Sequence, residues 1–343
     1  MTKKVTHITK ILITLTVLGL TGFMAVCKRT DVRNSNSRAA GEIKEVWTNE
    51  PIQPIPIHIN LDADKVALGE KLFNEVQLSR DNTVSCATCH SMDLGGTDQL
   101  PRSKGIDGQL GAVNAPTVFN AAYNFKQFWD GRAETLESQI DGPTHAADEM
   151  GSNWEEIERK LRHSEEYTAE FARVYKDDIH TENIKDAIAA FERSLLTPNS
   201  RFDRFLKGDG DAITKEEKDG YRVFKSVGCV SCHQGMNAGG NLFQEFGVMG
   251  DYFNDRGNIT KADLGRYNVT HNDLDRHVFK VPGLRNVSRT FPYFHDGSAL
   301  TLENAVGVMS KYQLGRQLSP QEVDSIVLFL KTLDGEYTRY GSL

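Results

Sequence analysis

The chain has 343 residues, of which 39% are hydrophobic and 25% are charged, and its formal net charge is −7. These proportions are typical of a globular protein with room for two domains, and they exclude a disordered chain. The acidic balance disfavours nucleic acid as a partner, whereas it suits a donor protein with a basic docking face.

Residues 1–27 are predicted to be an export signal that directs the chain to the periplasm. Three lysines among the first ten residues precede an apolar run over residues 11–26, which is short for a membrane-spanning helix. Cys27 follows in a relaxed lipobox, where Val26 departs from the usual glycine or alanine. Whether Cys27 becomes a lipid anchor, is lost by cleavage nearby or stays in an uncleaved segment is left open. Residues 28–50 are polar and are predicted to be a flexible tether.

A C-x-x-C-H motif follows the first predicted helix. Apolar residues recur with helical spacing over residues 64–73, and Cys86, Cys89 and His90 come soon after. Two cysteines on one helical turn can bind the two vinyl groups of a haem, and the adjacent histidine can then ligate the iron. A single C-x-x-C is also found in half of a zinc site or in a redox dithiol.

The middle of the chain combines a glycine-rich loop with amphipathic helices. The loop, residues 95–111, has neither strand nor helix periodicity. Apolar spacing predicts helices over residues 136–140, ended by Gly142 and Pro143, and then over 154–174 and 183–195. Residues 201–210 are polar and contain glycines, and we predict that they form the joint between two domains, residues 51–205 and 206–343.

The second half repeats the order of helix and motif. Thr214 and Glu217 form a capping box that begins a helix, and the helix leads to Cys229, Cys232 and His233. Two such motifs on an exported chain favour two covalently bound c-type haems. A four-cysteine zinc site does not explain two histidines at identical offsets.

The C-terminal part is again predicted to be helical. Thr301 caps a helix that runs to Met309, and residues 319–322 begin the last helix with Pro320 in its first turn. Alternating strand patterns are scarce throughout. The fold class is therefore mostly α with long irregular loops, and the last helix belongs to the second domain or packs back on the first.

Ten short segments resemble, in order, the bacterial di-haem cytochrome c peroxidase family and its relatives, the MauG-type di-haem oxidases. They extend over about residues 60–335, so the resemblance is more specific than the two haem motifs alone. The segments are residues 78–79, 85–90, 95–97, 114–117, 128–133, 142–143, 149–150, 229–233, 281–286 and 292–297.

The resemblance implies a fold, an activity and partners. Each domain would be a cytochrome c-like haem domain. The enzyme would reduce hydrogen peroxide to water with two electrons from a small cytochrome c or a cupredoxin. Electrons would reach the C-terminal haem first, and peroxide would react at the N-terminal haem. A calcium ion would lie between the domains, and a homodimer is left open.

The resemblance also assigns roles around the two haems. His233 would be the proximal ligand of the C-terminal haem and Met309 its distal ligand, and a thioether there raises the reduction potential. Glu149 would be the acid–base carboxylate for peroxide cleavage, with Gln139 orienting peroxide or water. From the residues alone, Met309 could equally be a core methionine, and Glu149 a solvated surface acid.

Four further residues are assigned in the same way. Trp129 would lie between the haems, although from the sequence alone it could be an ordinary core tryptophan. Asn114, with the backbone carbonyls of Thr290 and Pro292, would bind the calcium ion, because Ca²⁺ prefers hard oxygen ligands.

One departure from the family pattern affects the peroxide site. Where the best-known members have a histidine that ligates the oxidised N-terminal haem, this chain has Ile106, which cannot bind iron. We therefore expect that haem to be five-coordinate or water-bound at rest, unless Lys104 or His145 binds it. An open haem also fits a MauG-like oxidase, although that branch has a tyrosine at the position of Met309. The third hypothesis is a non-enzymatic electron carrier or sensor, in which both irons would be six-coordinate.

Overall fold

Helices dominate residues 49–341, the part of the chain that the computed structural model describes, and the predicted mostly-α class is confirmed. The predicted export signal, Cys27 and almost all of the predicted tether lie outside the described residues. Among the helices described here, none combines the length and the apolar character needed to cross a membrane.

The α-helices are α1 Ala63–Phe73, α2 Cys86–Cys89, α3 Leu136–Gln139, α4 Asp141–His145, α5 Trp154–Arg162, α6 Glu165–Tyr175, α7 Thr181–Ser194, α8 Arg201–Leu206, α9 Lys215–Val227, α10 Tyr252–Arg256, α11 Tyr267–Thr270, α12 Leu302–Val308 and α13 Pro320–Lys331. Strands β1 Phe243–Glu245 and β2 Val278–Lys280 form an antiparallel pair in which Phe243 lies opposite Lys280. A π-helical turn covers Met309–Gln313. Short 3-10 turns cover Val76–Leu78, Met92–Leu94, Ile106–Gly108, Ala121–Tyr123, Cys229–Ser231, Ala262–Leu264, Asp273–Asp275 and Val287–Arg289.

The two capping signals predicted for α9 and α13 are present. The Thr214 backbone N–H donates to Glu217 Oε2 at 2.8 Å, and the Glu217 N–H donates to Thr214 Oγ1 at 3.3 Å. Ser319 and Glu322 form the same reciprocal pair at the start of α13. Each pair satisfies backbone donors that the first turn of a helix leaves unbonded, which fixes where these helices begin.

The helix that precedes each C-x-x-C-H motif packs against a later helix through a glycine. Helix α1 packs against α7, and a Cβ atom at Gly69 would overlap the Ala187 carbonyl group. Helix α9 packs against α13 in the same manner, with Gly220 against the carbonyl group of Ser325. The two helix pairs therefore repeat one packing arrangement, with the backbones close enough to exclude a side chain.

Two hydrophobic clusters form around these helix pairs. The first contains buried residues of α1, α5, α6 and α7, among them Leu72, Phe73, Ile157, Phe171 and Ile188. The second contains buried residues of α8, α9 and α13, among them Phe202, Tyr221, Phe224, Ile326 and Phe329.

The end of the chain connects to the first cluster. Helix α13 packs on α9, while Tyr337 and Tyr340 beyond it pack against the first cluster. The Leu61 N–H donates to Tyr340 Oη at 2.8 Å, and Arg339 donates to Glu70. In this structure the segment after the last helix reaches α1 through Arg339 and Glu70.

Two local helix predictions were wrong, and the predicted joint contains a helix. Residues 201–210 are not only a polar joint, because α8 buries Phe202, and Asp203 forms a fully buried ion pair with Arg285 at 2.8 Å. Gly142 and Pro143 lie inside α4, since proline is tolerated in a first turn. The helix predicted over 154–174 is two helices, because the Ser164 hydroxyl accepts from the N–H of Tyr167 and begins α6.

Candidate active site

The first C-x-x-C-H motif folds as a short helix with a positioned histidine. Cys86 and Cys89 are the ends of α2, and the Ser85 N–H donates to Thr88 Oγ1 at 3.0 Å at its start. His90 follows directly, and its Nδ1 donates to the Gly96 carbonyl oxygen at 3.2 Å. This hydrogen bond fixes the ring and leaves Nε2 as the nitrogen for a metal.

The second motif repeats this geometry after α9. Cys229 begins a 3-10 turn that ends at Ser231, and Cys232 and His233 follow. His233 Nδ1 donates to the Ala238 carbonyl oxygen at 3.2 Å. Both histidines therefore bind the following loop through Nδ1, which makes Nε2 the nitrogen that would ligate iron.

Burial sets the protonation of both motifs. It raises the pKa of Cys86 to about 12 and that of Cys89 and Cys229 to about 11. It lowers the pKa of His90, and lowers that of His233 to about 4. The imidazoles are thus neutral, as metal ligation requires. The thiols are protonated, which is the opposite of what an activated redox dithiol needs.

One cavity brings the second motif together with Met309. Cys229, Cys232, His233 and Met309 all line it, as the assigned ligand roles require. Met309 lies where α12 passes into the π-helical turn, a type of irregularity that is frequent at functional sites. The thiols, the free imidazole nitrogen and the thioether suit a covalently attached haem with a histidine and a methionine ligand. The apolar part of the wall includes Phe224, Val287, Leu302, Ala305, Val306, Leu314, Leu318, Ile326 and Leu330.

The same cavity includes Trp129 and the three residues assigned to calcium, Asn114, Thr290 and Pro292. Trp129 Nε1 donates to the Asn114 backbone carbonyl at 3.0 Å. The Asn114 side-chain Nδ2 donates to the Leu100 carbonyl at 2.8 Å, which orients the amide. The tryptophan is therefore hydrogen-bonded directly to the segment that would bind the cation.

Glu149 lies near the first motif and is half-buried. Burial raises the pKa of its carboxyl group, the charge of Asp148 raises it further, and Arg132 opposes both. The pKa of Cys89 is raised by burial first and then by the charges of Asp98 and Glu149. The effect of the Glu149 charge on the Cys89 thiol indicates that the carboxyl group is near the motif. Gln139, at the end of α3, is also half-buried.

The loop that lacks the histidine is held by Ile106. Its side chain is fully buried in the first cluster, and its N–H donates to the Glu149 carbonyl at 2.8 Å. Lys104 and His145, the other two potential ligands, are both exposed, and the His145 ring packs edge-on against Trp154.

Two buried charged side chains were missed by the sequence analysis. Glu192 in α7 is 6% exposed, its Oε2 has no hydrogen-bond partner among the described residues, and burial raises its pKa to about 8. Lys280 in β2 is also 6% exposed and lines the cavity of the second motif. The sequence feature that could have indicated their burial is a single charged residue within an apolar segment, as in Val278-Phe279-Lys280-Val281.

Comparisons with known proteins agree with this geometry. Residues 63–211 match the family model described as di-haem cytochrome c peroxidase. The chain is 48% identical to the cytochrome c peroxidase Ccp of Escherichia coli over 85% of its own length, but it spans only 63% of that relative. It is 45% identical to the cytochrome c551 peroxidase of Nitrosomonas europaea, covering 84% of this chain and 85% of the relative. Among solved structures, a MauG-like protein associated with microbial copper homeostasis superposes with a TM-score of 0.71 at 28% identity, covering 85% of this chain and 95% of that one.

Proposed function

Since the chain belongs to the di-haem cytochrome c peroxidase family, we propose that it reduces hydrogen peroxide to water in the periplasm, using electrons from a small cytochrome c or a cupredoxin. The observation that best supports peroxide chemistry is the half-buried Glu149 carboxyl, with its raised pKa, beside the first C-x-x-C-H motif. An electron carrier has no use for such a group.

Glu149 would move a proton from one peroxide oxygen to the other. Cleavage of the O–O bond needs a base for the first oxygen and an acid for the leaving oxygen, and one carboxyl group near both can do each transfer in turn. A raised pKa keeps both protonation states accessible closer to neutral pH. Gln139 would orient peroxide or water, and Cys86, Cys89 and His90 would hold the haem that supplies the site for peroxide.

Electrons would be received at the second motif. The cavity that His233 and Met309 share supports a haem with a nitrogen and a sulfur ligand, and this pair raises the reduction potential. A high potential suits acceptance of electrons from a soluble donor. Trp129 borders the same cavity and would lie on the route towards the N-terminal haem.

Calcium binding is part of the same proposal. Asn114, Thr290 and Pro292 line one cavity wall, and their oxygens are hard ligands of the kind that Ca²⁺ prefers. No hydrogen bond within residues 49–341 ends on the carbonyl oxygens of Thr290 and Pro292, so both could face a cation. Lipidation of Cys27, the homodimer and the division into domains 51–205 and 206–343 stay predictions.

A MauG-like oxidase is the second candidate. The buried Ile106, which offers iron no ligand, favours it, whereas Met309 in the cavity wall favours the peroxidase. Stoichiometry separates the two. With a reduced small cytochrome c and limiting peroxide, the peroxidase should oxidise about two cytochromes for each peroxide consumed. Peroxide consumption without oxidation of the donor would contradict the proposal.

A further inference from the structure

Lys280 is a buried cation for which residues 49–341 supply no partner. Its side chain is 6% exposed, and its ammonium group forms no ion pair or hydrogen bond within the described residues. Burial lowers its pKa to about 8, so the amine is still mostly protonated at neutral pH. Burying a charge is costly unless another charge or a set of hydrogen bonds compensates it. A residue of this kind indicates an anion that the described part of the chain does not supply.

The position of Lys280 is fixed by its backbone. It lies in β2 opposite Phe243, and its N–H donates to the Trp129 carbonyl at 2.8 Å. Its side chain lines the cavity that also contains Cys229, His233 and Met309. Strand β2 is separate in sequence from the segment that carries the two cysteines, so a different element of the fold brings Lys280 to this cavity.

The other charged side chains of this wall are already engaged or face solvent. Arg285 pairs with Asp203 at 2.8 Å and also donates to the Met236 carbonyl. His295 Nε2 donates to Asp263 at 2.7 Å. Glu245 is exposed and lies opposite Val278 rather than Lys280. Within the part of the chain that the structure describes, Lys280 is therefore the unpaired positive charge of this cavity.

We propose that Lys280 binds a propionate carboxylate of the haem attached at Cys229 and Cys232 and thereby raises the midpoint potential of that haem. This inference rests on the proposed function, which puts a haem in this cavity. Attachment through the cysteines fixes the vinyl edge of the haem, and its two carboxylates lie on the opposite edge. A fixed positive charge near a carboxylate offsets its negative charge and favours uptake of an electron.

The test is the midpoint potential of each haem, measured by spectroelectrochemistry on the holoenzyme. Lys280→Met removes the charge at similar length, and Lys280→Arg keeps it. Lys215→Met is the matched control, because the Lys215 side chain is 82% exposed. For the methionine variant we expect the midpoint potential of the C-terminal haem to fall by at least about 59 mV. This corresponds to a tenfold shift of the one-electron equilibrium towards the oxidised form. The arginine and control variants should stay near wild type.

Other outcomes overturn the inference. An unchanged C-terminal potential in Lys280→Met, or a shift confined to the N-terminal haem, contradicts it. If the methionine variant does not fold, resonance Raman spectra of wild type in H₂O and D₂O decide, because a propionate that accepts from an ammonium group should shift its bending band on deuteration. A wild-type protein that lacks a histidine–methionine haem would instead contradict the proposed function itself.

Discussion

The backbone N–H of Ile106 donates to the carbonyl oxygen of Glu149 at 2.8 Å. The residue that stands in place of a histidine ligand is thus bonded directly to the residue assigned to proton transfer. Because the Ile106 side chain is fully buried in the first hydrophobic cluster, the loop and the Glu149 segment are held together by both a hydrogen bond and packing. This contact would fix the position of the Glu149 backbone without occupying iron.

Glu149→Gln should lower peroxidase turnover about 10²- to 10⁴-fold, since a positioned acid–base group typically contributes that much. Gln has nearly the same shape but cannot exchange the proton. Steady-state rates with a reduced cytochrome c measure the loss, and visible spectra should show both haems unchanged. Asp148→Asn alters the adjacent acid and should retain most of the activity. Equal losses in the two variants would contradict a specific role for Glu149.

Asp148→Asn should also shift the pH profile. The charge of Asp148 helps to raise the pKa of Glu149, so its removal should lower that pKa. If Glu149 must first act as a base, turnover falls as the pH drops through its pKa. The acid limb of the kcat profile should therefore move to lower pH in this variant. An acid limb at the wild-type position would mean that another group controls it.

Met309→His should lower the midpoint potential of the C-terminal haem by more than about 59 mV, a tenfold change in the one-electron equilibrium. The physical reason is that imidazole stabilises oxidised iron better than a thioether does. Reduction by the donor protein should slow accordingly. Met249→His is the control, because Met249 is 61% exposed. A potential that is equal in wild type and Met309→His would exclude Met309 as a ligand.

The sequence predicted those features that depend on neighbouring residues. The caps at Thr214 and Ser319 are local, so α9 and α13 could be predicted to begin where they do. Helix α8 begins with a capping box of the same kind, Ser200 and Asp203, which the sequence analysis missed. The ion pair of Asp203 with Arg285 could not be predicted, because Arg285 is distant in the sequence. The meeting of His233 and Met309 at one cavity could be inferred only through the family resemblance. Lys280 was missed because its lack of a partner depends on every residue around it.

Glu192 predicts an unusual pH dependence of stability. Its pKa is raised to about 8 in the folded protein, from an ordinary value near 4.5. Stability is therefore unaffected by this group below about pH 4.5, and it falls as the pH rises towards 8, because only the unfolded chain releases the proton easily. Each unit of pKa difference is worth about 1.4 kcal/mol.

Glu192→Gln should remove this dependence and raise the free energy of unfolding at pH 7 by up to about 3 kcal/mol. The measurement is the free energy of unfolding in urea between pH 5 and 8, roughly the interval between the ordinary and the raised pKa of this carboxyl group. Glu182→Gln is the matched control, since Glu182 is exposed on the same helix. If wild type and Glu192→Gln lose stability in parallel across this range, the buried carboxyl group is not the cause.

The fully oxidised protein at rest should contain one high-spin haem and react with peroxide before any reduction. Ile106 offers no ligand, and both Lys104 and His145 are exposed in the structure. EPR and visible spectra of the resting protein, followed at once by peroxide, test this directly. Lys104→Ala and His145→Ala should leave the spectra unchanged. Two low-spin haems, with no reaction until one electron is added, would mean that another residue moves onto the N-terminal iron. The variant whose spectrum becomes high-spin would then identify that residue.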